Sequence, residues 1–177
     1  MGEVVSDLWV FGYGSLMWRP GFAYVESRPA LLRGAHRSLC VYSVVHRGTA
    51  ARPGLVLGLD AGGSCRGIAF RVEAGAAVAT LDYLREREQA TNVYLETRRP
   101  VALDGSVRKV EALCFLVDRT HRQYAGRLSI ARQAELVRGG QGQSGNNIDY
   151  IANTLRHLGE MGLAEAALEE VMAEVGN

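Results

Sequence analysis

The chain has 177 residues, of which 47% are apolar and 22% are charged, and its formal net charge is +1. This length predicts one domain with room for a core, and the balanced charge argues against a nucleic-acid-binding surface. No apolar run approaches transmembrane length, and the N-terminal MGEVVSDLWV lacks the basic region of a signal peptide. We therefore expect a cytoplasmic protein with a single domain over 1–177 and no nucleic-acid or membrane partner.

Strands are predicted mainly in the first two thirds of the chain, from β-branched and alternating apolar residues. They cover residues 8–11, 38–45, 55–59, 66–72, 93–101 and 107–117. The turn-forming DAGGS joins two of these strands and predicts a hairpin over 55–72. An Asp-Gly pair at 104–105 predicts a second hairpin between the last two.

Helices are predicted mainly in the last third, where apolar residues recur at helical spacing. The predicted helices cover residues 74–89, 129–138, 147–158 and 163–175. Ser129 is a candidate N-cap for the second helix, and Asn147 is a candidate N-cap for the third. Because strands come first and helices gather late, the pattern favours an α+β fold over alternating α/β.

The three cysteines, Cys40, Cys65 and Cys114, lie far apart within or beside apolar runs. Their spacing matches no CxxC pair or Cys/His ligand set, so no metal site is predicted. Buried thiols in a reducing compartment are the expected state.

The stretch FGYGSLMW (11–18) places a Gly-x-Gly pair at the end of the first predicted strand. Glycines at that position indicate either a simple strand bulge or a main chain that approaches a ligand closely, with successive N–H groups available to bind an anion. The dinucleotide-binding pattern fails, because the position of its third glycine is Met17 and Trp18-Arg19-Pro20 does not open a helix. A P-loop is excluded as well, because no Gly-Lys-Ser/Thr follows.

The predicted helix 74–89 carries a glutamate on its apolar face. Ala77, Leu81 and Leu84 form one stripe at helical spacing, and Glu88 continues it, whereas 85–87 turn away toward solvent. An inward carboxylate must be paired, neutralised or used, and burial makes it a stronger base. The alternative is that the helix frays and the Glu88 side chain turns outward.

The segment GGQGQSGNNIDY (139–150) joins two predicted helices through four glycines. A flexible loop is the simplest interpretation. However, Tyr150 lies at the edge of the apolar face of the following helix, from which its hydroxyl could reach a pocket.

Together these stretches resemble the ChaC-like family of glutathione-specific γ-glutamylcyclotransferases. The likeness runs from about Trp9 to Leu158 and rests on VFGYGSLMW, the inward glutamate and the GxSGxNxxY pattern at 142–150. The resemblance implies a small closed mixed β-barrel with packed helices. It also implies cleavage of glutathione to 5-oxoproline and Cys-Gly without a metal or organic cofactor.

The same resemblance implies roles for particular residues. Glu88 corresponds to the family's catalytic glutamate. The substrate-binding positions are Phe11, Gly12, Tyr13, Gly14, Ser15, Leu16 and Tyr150.

Three alternatives stay open at this point. The doubled RERE sequence allows Glu86 to take the place of Glu88, although the helical register favours Glu88. The substrate could be another γ-glutamyl amine or dipeptide, or the chain could be a non-catalytic regulatory module. Arg37, His46 and Arg47 are candidates for neutralising the glycine carboxylate of the substrate.

Overall fold

The computed structural model describes residues 6–88 and 92–177. Its five long strands are β1 (Leu8–Gly12), β2 (Glu26–Ser43), β3 (Gly54–Val72), β4 (Tyr94–Leu103) and β5 (Lys109–Val117). Two short strands, β6 (Gln141–Gly142) and β7 (Gly145–Asn146), pair separately. The α-helices are α1 (Ala77–Glu88), α2 (Ile130–Gly139), α3 (Asn147–Glu160) and α4 (Ala166–Val175), and 3-10 turns cover Ser15–Met17 and Ala74–Ala76.

The long strands form a closed barrel in the order β1-β3-β2-β4-β5. The β1–β5 pair that closes the barrel is parallel, whereas β1–β3, β2–β4 and β4–β5 are antiparallel. The predicted closed mixed barrel and α+β class are therefore confirmed. The predicted hairpin around Asp104-Gly105 is confirmed as β4–β5, and Gly105 has the positive φ of 72° that such a turn requires.

The described residues form two compact units, one comprising 6–37, 59–88 and 92–117 and the other 38–58 and 118–177. In the first unit, α1 packs on a core that includes Val10, Leu16, Leu84 and Phe115. In the second unit, α4 packs against α2 and α3. All three cysteines are buried thiols, as predicted, and burial raises the pKa of the Cys114 thiol to about 12.

The predicted hairpin over 55–72 is wrong, because β3 runs without interruption from Gly54 to Val72. Gly62 and Gly63 adopt φ values of 98° and 70° inside the strand. Positive φ at successive glycines is typical of a strand irregularity as well as of a turn. The His36 ring also bonds to the Gly62 carbonyl through Nδ1 at 2.9 Å, which helps to hold this irregular stretch.

Other boundaries differ from prediction at particular residues. The strand predicted over 38–45 is the end of β2, which begins at Glu26. The predicted N-cap Ser129 is confirmed, because its hydroxyl accepts from the Arg132 N–H. The cap of α3 is Asn146 rather than Asn147. The predicted end of the first helix at 89 lies outside the described residues.

Within residues 6–88 and 92–177, no helix is long and apolar enough to cross a membrane.

Candidate active site

The Gly-x-Gly loop begins where β1 ends in the core of the first unit. Phe11 pairs with Ala69 and Gly12 with Ile68 across the β1–β3 ladder. A Cβ at Gly67 would collide with the Gly12 carbonyl and lie 2.8 Å from the Phe11 ring. Gly67 thus permits the close packing that fixes the start of the loop.

The loop continues as a tight 3-10 turn. Gly14 precedes the 3-10 turn at Ser15–Met17, and the first N–H bonded within the turn is that of Met17, which donates to the Gly14 carbonyl at 2.9 Å. The N–H groups of 14–16 therefore stand at the start of a helical turn, the usual position for anion recognition. Leu16 is buried in the core, whereas Ser15 is exposed.

Arg37 fixes the orientation of this loop from β2. Its side chain is buried, with only 8% of the residue exposed. Nε donates to the Tyr13 carbonyl at 2.6 Å, and Nη2 donates to the Arg66 carbonyl at 2.8 Å. Because a trans peptide points its C=O and N–H in opposite directions, this contact turns the Gly14 N–H away from Arg37.

Glu88 lies at the end of α1 on the stripe predicted for it. Ala77 and Leu84 of that stripe are buried in the core of the first unit, and the Glu88 side chain is only 16% exposed. Burial raises the pKa of the Glu88 carboxyl above its ordinary value, and the neighbouring Arg87 guanidinium partly opposes that rise. Glu86 is exposed, so the alternative placement of the buried acid at 86 finds no support in the structure.

The prediction that Arg87 turns toward solvent is wrong. Its side chain is 20% exposed, and Nη2 donates to the Ser15 hydroxyl at 2.9 Å. Nε of the same guanidinium lies 3.7 Å from Oε1 of Glu88. One side chain therefore contacts both the glycine loop and the buried carboxylate, and brings two of the predicted site residues together.

Tyr150 belongs to the second unit, near the start of α3. Its hydroxyl accepts a hydrogen bond from the Leu57 N–H at 3.0 Å. The Arg47 guanidinium lies over the ring, 5.4 Å from its centroid, and donates to the Asn146 carbonyl at 3.2 Å. The Leu57 N–H thus fixes the position of the phenol oxygen beside β3.

Comparison with known proteins places the chain in a family. The family model described as ChaC-like protein matches residues 8–177. The chain belongs to the ChaC-like family. A glutathione-specific γ-glutamylcyclotransferase of Escherichia coli K12 is 34% identical over 170 residues, covering 96% of this chain and 73% of the relative. The protein of the same name from Schizosaccharomyces pombe is 35% identical over 176 residues, covering 86% of this chain and 85% of the relative.

A solved structure has the same fold as this ChaC-like chain. It is a γ-glutamyl cyclotransferase specific to glutathione from yeast, and it superposes with a TM-score of 0.85 over 97% of this chain and 96% of its own. The two sequences are 22% identical, so this likeness supports the fold alone.

Asn147, predicted as the N-cap of α3, has a different role in the ChaC-like chain. It is fully buried. Its Oδ1 accepts from the Leu55 N–H at 2.7 Å, and its Nδ2 donates to the Leu55 carbonyl at 2.8 Å. Asn146 performs the capping instead, because its Oδ1 accepts from the Asp149 N–H at 2.7 Å. The consecutive asparagines were a visible signal, but spacing alone did not show which one faces inward.

The glycine-rich segment before α3 is a short hairpin rather than an open loop. β6 and β7 pair through Gln141 and Asn146. The Gln143 N–H donates to the Val45 carbonyl at 2.8 Å, and the His46 ring bonds to the Ser144 hydroxyl at 2.9 Å. These contacts give His46 a local partner within the second unit.

Proposed function

We propose that this chain is a γ-glutamylcyclotransferase that degrades glutathione to 5-oxoproline and Cys-Gly. The observation that carries the proposal is the Glu88 carboxylate, only 16% exposed and in contact with an arginine that also bonds to Ser15 of the glycine loop. Membership in the ChaC-like family supports the same activity, since the relatives from E. coli and S. pombe are named for it.

The reaction uses a nucleophile that the substrate itself carries. The α-amine of the γ-glutamyl group attacks its own γ-carbonyl, a five-membered lactam closes, and the bond to the cysteine nitrogen breaks. Two protons leave the α-nitrogen and two arrive on the departing nitrogen, and no water is consumed. The protein therefore needs no nucleophilic residue, and the chemistry calls for no metal or organic cofactor.

Glu88 is proposed as the group that moves these protons. The α-amine is mainly protonated at neutral pH, because its pKa is about 8, and it cannot attack in that form. A glutamate in open water is a weak base, whereas burial on the Leu84 stripe raises the Glu88 pKa. Glu88 takes a proton from the attacking nitrogen and returns it to the departing one.

The glycine loop is proposed to hold the glutamyl chain bent. The N–H groups of Gly14, Ser15 and Leu16 would receive substrate carboxylate or carbonyl oxygens, and the Ser15 hydroxyl would add a further bond. Phe11 and Gly12 contribute by fixing the start of the loop in the β1–β3 ladder. A well-oriented intramolecular attack can gain on the order of 7–11 kcal/mol over a bimolecular reference. Because the substrate already links the amine to the carbonyl, the loop would supply only the orientation part of that gain.

Tyr13 and Tyr150 are proposed to fix the glutamyl end of the substrate. Tyr13 is buried within the loop, and the Tyr150 hydroxyl is oriented by the Leu57 N–H. We also propose that the chain acts as one domain in the cytoplasm, where its substrate would be a small molecule.

Incubation of the full chain with glutathione tests the proposal. We expect 5-oxoproline and Cys-Gly in equal amounts, and loss of both with Glu88→Gln but not with Glu86→Gln. Parallel incubations with γ-glutamyl-alanine and with a γ-glutamyl amine would test the wider substrate class. No product from any of them, together with equal glutathione binding by wild type and Glu88→Gln, would instead indicate a non-catalytic module.

A further inference from the structure

We infer that Arg87 is a positioning residue that holds the Ser15 hydroxyl and the Glu88 carboxylate in a fixed relation to each other. The inference rests on the proposed function, because it assigns Arg87 a role at that same site.

The guanidinium is itself held firmly on its far side. Nη1 donates to the Arg19 carbonyl at 2.7 Å, to the Pro20 carbonyl at 3.1 Å and to the Tyr83 hydroxyl at 3.0 Å. A Cβ at Gly21, which has a φ of 76°, would collide with that hydroxyl. The chain therefore packs closely around Tyr83, and these contacts fix the plane of the Arg87 guanidinium.

The near side of the guanidinium faces the two site residues. Nη2 donates to the Ser15 hydroxyl at 2.9 Å, and Nε lies 3.7 Å from Oε1 of Glu88. A guanidinium is rigid and planar, so a displacement of either partner is opposed by every contact on the other side. The loop and the acid thereby keep a constant separation.

The Ser15 contact also determines how that hydroxyl can serve a substrate. Arginine has donors only, so Ser15 must accept in this bond. The hydroxyl proton then points elsewhere and can be donated to an acceptor. Arg87 thus favours a Ser15 that donates to an oxygen of the substrate, as a γ-glutamyl carboxylate or carbonyl would require.

The Glu88 contact is attractive without occupying the carboxylate. At 3.7 Å the Nε–Oε1 distance is longer than a hydrogen bond, so Arg87 itself does not occupy the lone pairs of that oxygen. The positive charge of Arg87 lowers the pKa of Glu88 against the rise caused by burial. Of the neighbouring charged residues on α1, Arg85 bonds to Glu96 of β4 at 2.8 and 3.0 Å, and Glu86 is exposed.

Lysine and glutamine at 87 separate geometry from charge. Arg87→Lys keeps the charge but has one nitrogen, which cannot contact Ser15, Glu88 and the 19–20 carbonyls together. Arg87→Gln also removes the charge. Arg85→Lys is the matched control, because Arg85 lies on the same helix turn and is exposed in an ion pair with Glu96.

We expect Arg87→Lys to lower kcat by about tenfold or more, because Ser15 and Glu88 would be misplaced. The acidic limb of the pH profile of kcat/KM should be nearly unchanged. Arg87→Gln should lower kcat further and move that limb to higher pH, whereas Arg85→Lys should stay within about twofold of wild type. Both Arg87 variants behaving like Arg85→Lys would overturn the inference.

A double-mutant cycle with Ser15→Ala tests the geometry further. If Arg87 acts through Ser15, Arg87→Lys should cost much less in the Ser15→Ala background than in wild type. Equal costs in the two backgrounds would contradict the Ser15 part of the inference.

A titration without substrate separates this inference from the proposed function. The ¹³C shift of the Glu88 carboxyl, assigned by its loss in Glu88→Gln, should titrate at higher pH in Arg87→Gln than in wild type. An unmoved titration would overturn the Arg87 inference even if the enzyme is active. An inactive wild type would overturn the proposed function while this titration still reports on Arg87.

Discussion

Two glycine-rich stretches of this chain look alike in sequence but are held in different ways. The loop over 12–17 is held by long charged side chains, with Arg37 on the Tyr13 carbonyl and Arg87 on the Ser15 hydroxyl. The hairpin over 141–146 is held by main-chain hydrogen bonds to 45–46 and by a close approach of backbones. The first arrangement is linked through Arg87 to the Glu88 carboxylate, whereas the second packs against residues 45–47.

The glycines of the second stretch serve packing rather than exposure. A Cβ at Gly142 would collide with the Val45 carbonyl and lie 2.5 Å from the carbonyl carbon of His46. A Cβ at Gly140 would lie 2.5 Å from the Arg47 carbonyl. Glycine content alone therefore does not distinguish an open loop from a packed one. The contacts of the main chain make that distinction.

The largest expected effect comes from removing the acid in the first region. Glu88→Gln should lower kcat by about 10²–10⁴-fold, the usual contribution of a general acid or base. Glu86→Gln should leave the rate close to wild type, because that side chain is exposed. Formation of 5-oxoproline under saturating glutathione measures both, and equal losses in the two variants would contradict the assignment.

The same substitution should stabilise the protein in a pH-dependent way. The folded-state pKa of Glu88 is raised above its ordinary value of 4.5 by burial. Between the unfolded and folded pKa values the native state holds the extra proton, so the Glu88 contribution to stability falls as pH rises. The Tm of Glu88→Gln should therefore match wild type below pH 4.5, exceed it as the pH rises, and keep a constant lead once the pH is above the folded-state pKa. A lower Tm at neutral pH would mean that the carboxylate is stabilising.

The next effect concerns Gly54 of β3, which packs closely against Arg47 and Asn147 beside the 141–146 hairpin. Gly54→Ala forces a Cβ against the Arg47 carbonyl, so we expect a loss of several kcal/mol in the free energy of unfolding. Gly159→Ala is the control, because a Cβ at this position of α3 has nothing within 4 Å. It should be neutral or stabilise by up to about 1 kcal/mol. Thermal unfolding measures both, and equal Tm values would show that the backbone can move apart.

Features that depend on neighbouring residues could be predicted from the sequence better than features that depend on distant contacts. Features set by neighbouring residues were predicted well: β1, the Asp104-Gly105 hairpin, the Ser129 cap and the inward register of Glu88. Local patterns failed where a distant partner decided the outcome. Gly62 and Gly63 have turn chemistry, yet the long pairing of β3 continues through them.

The two arginines of the site show why long polar side chains escape pattern reasoning. Helical register turns the Arg87 Cβ outward, but a side chain of this length can fold back to bond across the surface to Ser15. Arg37 sits in a stretch of β2 rich in polar residues, and nothing nearby in sequence indicates that it bonds to Tyr13, far earlier in the chain. Such contacts depend on tertiary structure, which periodicity does not encode.

A moderate effect is expected from loosening the loop at Arg37. Arg37→Lys replaces the planar fork that bonds to the Tyr13 and Arg66 carbonyls by a single flexible ammonium, so the peptide that presents the Gly14 N–H is held less firmly. We expect kcat/KM to fall by about tenfold, since one oriented donor is weakened. Arg66→Lys, at an exposed side chain, should change it little. Similar values for the two variants would show that the loop holds itself.

The smallest expected effect bears most directly on the contrast between the two regions. Tyr150→Phe removes the acceptor of the Leu57 N–H bond, which should cost about 1 kcal/mol in unfolding free energy. A purely structural hydroxyl would cause that loss and leave KM for glutathione unchanged. A hydroxyl that also binds the glutamyl end would raise KM severalfold, because a neutral substrate hydrogen bond contributes about 0.5–1.5 kcal/mol. We expect the second result. The first would confine substrate recognition to the glycine loop and make the region around Tyr150 scaffold alone.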